Sequence, residues 1–333
     1  MSKRNSAIEL YRCMLMFGIC LLHCLHRDNY GAWAESLLLP CVCGFAFISG
    51  WFGIRFTPSK VLRLYGVQFY CLAVAQIASW VVGNGFHIQS MLKGFCSYWF
   101  IHAYVLMMLL APLVNHAVDD RRAVRVMVPF LVAVFGWGFL GRFPIVNRFV
   151  PKPLDLDMYS GLTLLGVYAV ARLARIYRLD ERLSVRQLAV CFLTAAVLCS
   201  AGHLGFYNSP VAVVFIGSAF LMAIRLKIHG GSKTWLDRGG GGGGVINSLA
   251  PSMFTVYFIH LGSRFANTGL MIAIADRLDC TIWRFPALLA GTVVVFLLCV
   301  AMDIPRRLFV YALKSPLDGL CRRVDGWYER IVG

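Results

Sequence analysis

Charge is what this chain has least of. Asp, Glu, Lys and Arg together make up 14% of its 333 residues, and only 16 residues are acidic. A soluble globular domain carries about 25% charge and about 45–50% apolar residues. A hydrophobic content of 59% therefore excludes a soluble fold. The apolar excess runs along the whole length, so the expectation is an all-α, polytopic integral membrane protein. Other absences narrow the reading. Lys3 and Arg4 resemble the start of a secretory leader, but no small-residue cleavage site follows and Arg12 interrupts the apolar run, so a retained first span is expected. No CxxC pair occurs, and the twelve cysteines fall mostly inside apolar runs (Cys20, Cys71, Cys191, Cys299), where they pack as small hydrophobes. The six glycines Gly239–Gly244 lack the Lys-Ser/Thr of a phosphate-binding loop, and 230–244 reads as a flexible cytoplasmic linker. The net charge of +16 does not call for nucleic acid, because basic residues in such chains sit in short cytoplasmic loops.

What is present is a series of apolar runs of about 17–25 residues, the length that spans a bilayer. They fall near 6–25, 36–54, 66–83, 97–115, 126–141, 159–177, 187–204, 209–225, 245–262 and 285–303. With the N-terminus inside, 23 Lys and Arg fall in cytoplasmic segments and eight outside, so both termini are expected in the cytoplasm. The expected location is the inner membrane of a bacterium. A single transmembrane domain is expected over 1–310, followed by a basic tail over 311–333. The run 245–275, broken by Arg264 and Asn267, reads as a span followed by a re-entrant or interfacial piece.

Within this framework the first span, SAIELYRCMLMFGICLLHCLH, carries an arginine near its start and a histidine near its end. Arg12 and His23 are eleven residues apart, about three helical turns, so they share one face with roughly 16 Å between them. A polar group inside a bilayer is costly and is by default a functional candidate. Arg12, Lys60 and Arg63 cluster toward the cytoplasmic side, with Ser49 about a turn deeper. A basic inner mouth of this kind suits a phosphate-bearing donor. His23, His102 and His260 fall at one outer level on three helices, near Trp99, Tyr104 and Tyr257. A neutral imidazole there suits a general base acting on a hydroxyl. Bland readings stand beside these: Arg12 snorkelling to the interface or pairing with Glu9, His23 as a packing histidine, Trp99 and Tyr104 as an aromatic belt. Cys20, His23, Cys24 and His26 mimic a metal set, yet one straight helix presents only two or three of them at a time, and no metal is expected.

Several ordered motifs carry a resemblance. Ile8-Glu9-Leu10-Tyr11-Arg12, ten residues and then His23 resemble the first-span signature of the membrane-bound acyltransferase-3 family. Gly44 to Phe52, ending Ser49-Gly50-Trp51-Phe52, is similar to its second-span motif. Lys60-Val-Leu-Arg63-Leu-Tyr65 resembles its basic loop, with Gly66 where a proline often follows. Ser97 to Asn115 and Asn247 to His260 resemble its fourth-span and late Tyr-x-x-His segments. The resemblance implies an acyl-CoA co-substrate on the cytoplasmic side, no bound cofactor, and a saccharide hydroxyl as acceptor. It implies His23 as the catalytic residue with Arg12 essential nearby. On that basis Arg12, Lys60, Arg63 and Ser49 are expected to hold acyl-CoA, most simply acetyl-CoA, with Glu9 supporting Arg12. Trp99, His102, Tyr104, Tyr257 and His260 are expected to position the acceptor or stabilise the oxyanion. The partners expected are the lipid bilayer and a surface polysaccharide or lipid-linked sugar. The alternatives are a flippase for a lipid-linked sugar and a non-catalytic sensor.

Overall fold

The structure, a computed structural model, describes residues 5–25, 31–81, 85–140, 143, 160–228, 242–262 and 283–332. Among the described residues every regular element is helical. In chain order these are α1 (Ser6–Leu25), α2 (Gly31–Leu38), α3 (Cys41–Phe52), α4 (Pro58–Val81), α5 (Ile88–Ser97), α6 (Trp99–Ala117), α7 (Arg121–Leu140), α8 (Gly161–Ile176), α9 (Leu179–Arg182), α10 (Val185–Ser200), α11 (Pro210–Ile228), α12 (Gly242–Leu249), α13 (Met253–Gly262), α14 (Arg284–Ala312) and α15 (Lys314–Val332). The protein is an all-α polytopic membrane protein. Among the described residues six stretches are long and apolar enough to cross a membrane: Ser6–Leu25, Trp33–Phe52, Pro58–Val81, Trp99–Ala117, Arg121–Leu140 and Arg284–Ala312. Shorter apolar helices cover Val185–Ser200, Pro210–Arg225 and Val245–Leu261, and α8 stands at the remaining expected span.

Local sequence accounts for where several helices begin. The first N–H groups of a helix have no partner within it, and Ser, Asn or Asp side chains accept them. Asn5 accepts from Ala7 at 3.2 Å, Asp120 from Arg122 at 2.9 Å and Ser160 from Leu162 at 3.1 Å. Ser184 and Gln187 form a reciprocal capping box at the start of α10. Ser209 caps α11, whose first residue is Pro210.

The ninth expected span is interrupted. Gly242–Leu249 is helical, Ala250–Ser252 is one turn of 3-10 helix around Pro251, and Met253 restarts the α-helix. Proline supplies no amide proton, which breaks the regular ladder at this point. The end of the expected glycine linker, Gly242–Gly244, belongs to α12. His26, the rest of that linker, the loop 142–158 apart from Phe143, and residues 263–282 lie outside the described residues.

The chain divides into two compact units, each built from two separate segments: 1–55 with 102–250, and 56–101 with 251–333. In the first unit, α1 packs on α2, α3, α11 and α12, and α3 packs on α8 and α11. The approach of α3 to α8 is close enough that a Cβ on Gly50 would stand 2.3 Å from the Tyr168 carbonyl oxygen. Small residues at such crossings let backbones touch, which is how helices associate without a hydrophobic driving force between them. In the second unit, α4 packs on α5, α13 and α15, and α14 on α13 and α15. Many large apolar side chains remain exposed, including Val126, Val132, Leu297 and Leu298. Their natural surroundings are lipid.

Candidate functional site

The rotation of α1 is fixed by Tyr11. Its hydroxyl donates to the Ile216 carbonyl at 2.8 Å, and its ring meets Phe220, which also packs against Phe47 and Trp51. Anchored this way, α1 turns Ile8, Leu15, Met16 and Ile19 inward, all buried. Met14, about 160° around the axis from Arg12, is 62% exposed. Between Ile8 and His23 on the inward stripe, Arg12 and His23 are the two residues that keep partial exposure. They are two openings on an otherwise sealed face, spaced along one helix.

Arg12 Nη1 donates to both carboxylate oxygens of Glu9, at 3.1 and 3.2 Å, while its side chain stays 37% exposed. The guanidinium is thus held one turn from Glu9 with donors to spare. Ser49, near the end of α3, lies 2.6 Å from the Tyr104 hydroxyl of α6 and donates to the Phe45 carbonyl at 2.8 Å. The charge of Arg12 reaches Tyr104. Arg12 and Ser49, which the sequence assigned to the donor, and Tyr104, which it assigned to the acceptor, therefore belong to one neighbourhood of the first unit.

The chain leaving α3 is clamped beside them. Gly53 adopts φ +72°, a conformation that favours glycine, and ends the helix. Ile54 N–H donates to the Tyr168 hydroxyl at 2.8 Å, Tyr168 donates to Asn115 Oδ1 at 2.7 Å, and Asn115 Nδ2 donates to the Ile54 carbonyl at 3.0 Å. One turn beyond Tyr168 on α8, the Arg172 guanidinium lies over Gly53, its Nη1 3.1 Å from where a Cβ would be. Sequence reasoning missed Tyr168, Asn115 and Arg172 as members of a site. Arg172 entered it only as one of many inner-side charges. The signals present were a tyrosine inside an apolar run and a glycine directly after Ser49-Gly50-Trp51-Phe52.

The remaining candidates are distributed between the units. His23 and His102 are half-buried and belong to the first unit. Lys60, Arg63, Trp99, Tyr257 and His260 belong to the second. Arg63 is exposed and pairs with Asp318 of α15 at 3.1 Å, and the neighbouring Ser59 is held by Asp325 through its N–H and its hydroxyl. Lys60 is exposed. Tyr257 is buried against the rings of Tyr98 and Phe100, and Trp99 meets the edge of Phe100. His260 is fully buried, with Nδ1 2.6 Å from the Val256 carbonyl oxygen. None of the eleven cysteines among the described residues is in a disulfide; Cys20 and Cys24 pack inside the first unit.

The first unit thus presents guanidinium and hydroxyl groups at one end of α1 and an imidazole about three turns away. Such an arrangement can hold an anionic group at the first position and accept a proton at the second. No curated protein and no solved structure matches the chain. The family model described as an acyltransferase domain, that of the acyltransferase-3 family, matches residues 5–304, a range that contains every candidate residue named above. The chain belongs to the acyltransferase-3 family of membrane acyltransferases.

Proposed function

We propose that the protein is an integral-membrane O-acyltransferase that moves an acyl group, most simply acetyl, from cytoplasmic acyl-CoA to a hydroxyl of an extracytoplasmic or lipid-linked saccharide in a bacterial inner membrane. The observation that carries this reading is the inward stripe of α1, on which Arg12 and His23 keep partial exposure while Leu15, Met16 and Ile19 between them are buried. Arg12, beside Ser49 and Tyr104, holds the donor's phosphate end. The extended pantetheine arm bridges the roughly 16 Å to His23. His23 takes the proton from the acceptor hydroxyl. The oxygen adds to the thioester carbonyl, the C–S bond breaks, and CoA leaves as a thiolate that regains a proton, giving an ester and free CoA. His102, half-buried in the same unit, is a candidate for orienting the acceptor. Lys60, Arg63, Trp99, Tyr257 and His260 stay candidates to be read by substitution.

The test is to supply acetyl-CoA to membranes containing the protein and measure free CoA with a thiol reagent, with and without saccharide acceptor. Acceptor-dependent release of CoA, with acetyl ester appearing on the saccharide, is expected. The break at Ala250–Ser252 is the one feature that favours the flippase alternative, since transporters use discontinuous helices. Saccharide translocation without any CoA release would establish that alternative and overturn the acyltransferase reading.

A further inference from the structure

Arg172 stands apart from the other basic side chains at its end of α8. Arg175 lies on the Trp51 ring and reaches Asp180, and Arg178 pairs with Glu181. Arg172 has no carboxylate partner among the described residues, and its Nε is buried without a hydrogen bond. A buried donor left without a hydrogen bond is costly, although the residue as a whole is only half-buried. Nevertheless the surroundings hold it in place. Gly53 leaves the space that the guanidinium fills, and a Cβ there would meet Nη1 at 3.1 Å. The turn beneath it is fixed by the three hydrogen bonds among Ile54, Tyr168 and Asn115. Gly53 lies one turn beyond Ser49, the hydrogen-bond partner of Tyr104, and Gly50 between them meets the Tyr168 backbone one turn before Arg172. The unpaired cation thus belongs to the same neighbourhood of the first unit as Arg12, Ser49 and Tyr104.

We propose that Arg172, seated on the Gly53–Ile54 turn, binds a phosphate group of the acyl-CoA donor. The proposal rests on the donor reading above and adds a residue that neither the sequence motifs nor the family match singles out. An arginine with fixed geometry and free donors is the side chain best suited to phosphate oxygens. Here the anion also satisfies a buried donor that the protein itself leaves open.

The experiment compares wild type with Arg172→Gln, Arg172→Lys and, as a control for lost positive charge, Arg178→Gln. Each is assayed with acetyl-CoA and with S-acetylpantetheine, which has the same thioester and no phosphate. A charge-assisted hydrogen bond contributes a factor of about 10 to 100 in affinity. With acetyl-CoA, KM in Arg172→Gln should rise by about that factor while kcat stays within about threefold. Arg172→Lys should recover part of the loss, and Arg178→Gln should match wild type. With S-acetylpantetheine, Arg172→Gln and wild type should be alike. Equal losses with both donors, or no loss with either, would overturn the proposal and leave the acyltransferase reading standing if wild type turns over. A wild type that neither binds nor consumes acetyl-CoA would remove both.

Discussion

Tyr104 donates its hydrogen bond to Ser49. The two oxygens are 2.6 Å apart, and the single hydroxyl proton of Ser49 is already directed to the Phe45 carbonyl at 2.8 Å. The proton between Ser49 and Tyr104 must then come from the tyrosine. The pair is therefore a directed relay from α6 to the backbone of α3.

Tyr104→Phe should remove that donor and lower stability by about 0.5–1.5 kcal/mol. Ser49→Ala should cost more than a single lost bond, because it removes both the bond with Tyr104 and the one to the Phe45 carbonyl. In a double-mutant cycle followed by melting in detergent, the two should be clearly non-additive. Additive losses would mean the bond does not form in the membrane protein.

His23→Ala should lower acceptor-dependent acetyl transfer about 100- to 10,000-fold, the range for loss of a general base. Acetyl-CoA binding at the Arg12 end should persist, since the two residues lie about three turns apart. Transfer at the wild-type rate in this variant would exclude His23 from catalysis.

The Ile54 clamp should behave as one unit. Tyr168→Phe leaves both the Ile54 N–H and the Asn115 amide oxygen without their partner, at an expected cost of about 1–3 kcal/mol. Adding Asn115→Leu should cost little more than Tyr168→Phe alone. Thermal melts of the three variants decide this.

Asp303 is the strongest test of the second unit. It is fully buried, takes Arg306 through both oxygens at 2.6 and 3.1 Å, and accepts from Thr255 at 2.6 Å. Asp303→Ala leaves a largely buried guanidinium unpaired and should destabilise by about 3–5 kcal/mol. Asp318→Ala, which breaks the exposed pair with Arg63, should change stability by less than about 1 kcal/mol. A comparable loss from both would show that burial is not what sets the difference.

Much of this was legible in the sequence because it is local. Helix positions follow from runs of apolar residues. The pairing of Glu9 with Arg12 follows from i, i+3 spacing. The shared face of Arg12 and His23 follows from helical geometry alone. What was hidden depends on contacts between distant segments: Asn115 and Tyr168 meeting Ile54, Asp318 reaching Arg63, Asp303 reaching Thr255. No spacing rule encodes those. The division into two units, each from separated segments, is hidden for the same reason. Arg172 was concealed by its company, since 172–186 carries five arginines and what sets this one apart is a buried Nε that only the packing reveals.

The unequal helix lengths bear on the surrounding lipid. Val185–Ser200 has 16 residues and reaches about 24 Å, whereas Arg284–Ala312 has 29 and reaches about 43 Å. A hydrocarbon layer is about 30 Å thick. Val190, Leu193 and Val197 face outward from the short helix; to cross such a layer it would need the bilayer to thin beside it, while the long helix would need to tilt or project. Acyl-chain length in the host membrane thus becomes a variable of the protein's stability, and short-chain lipids are the ones that relieve the strain beside α10.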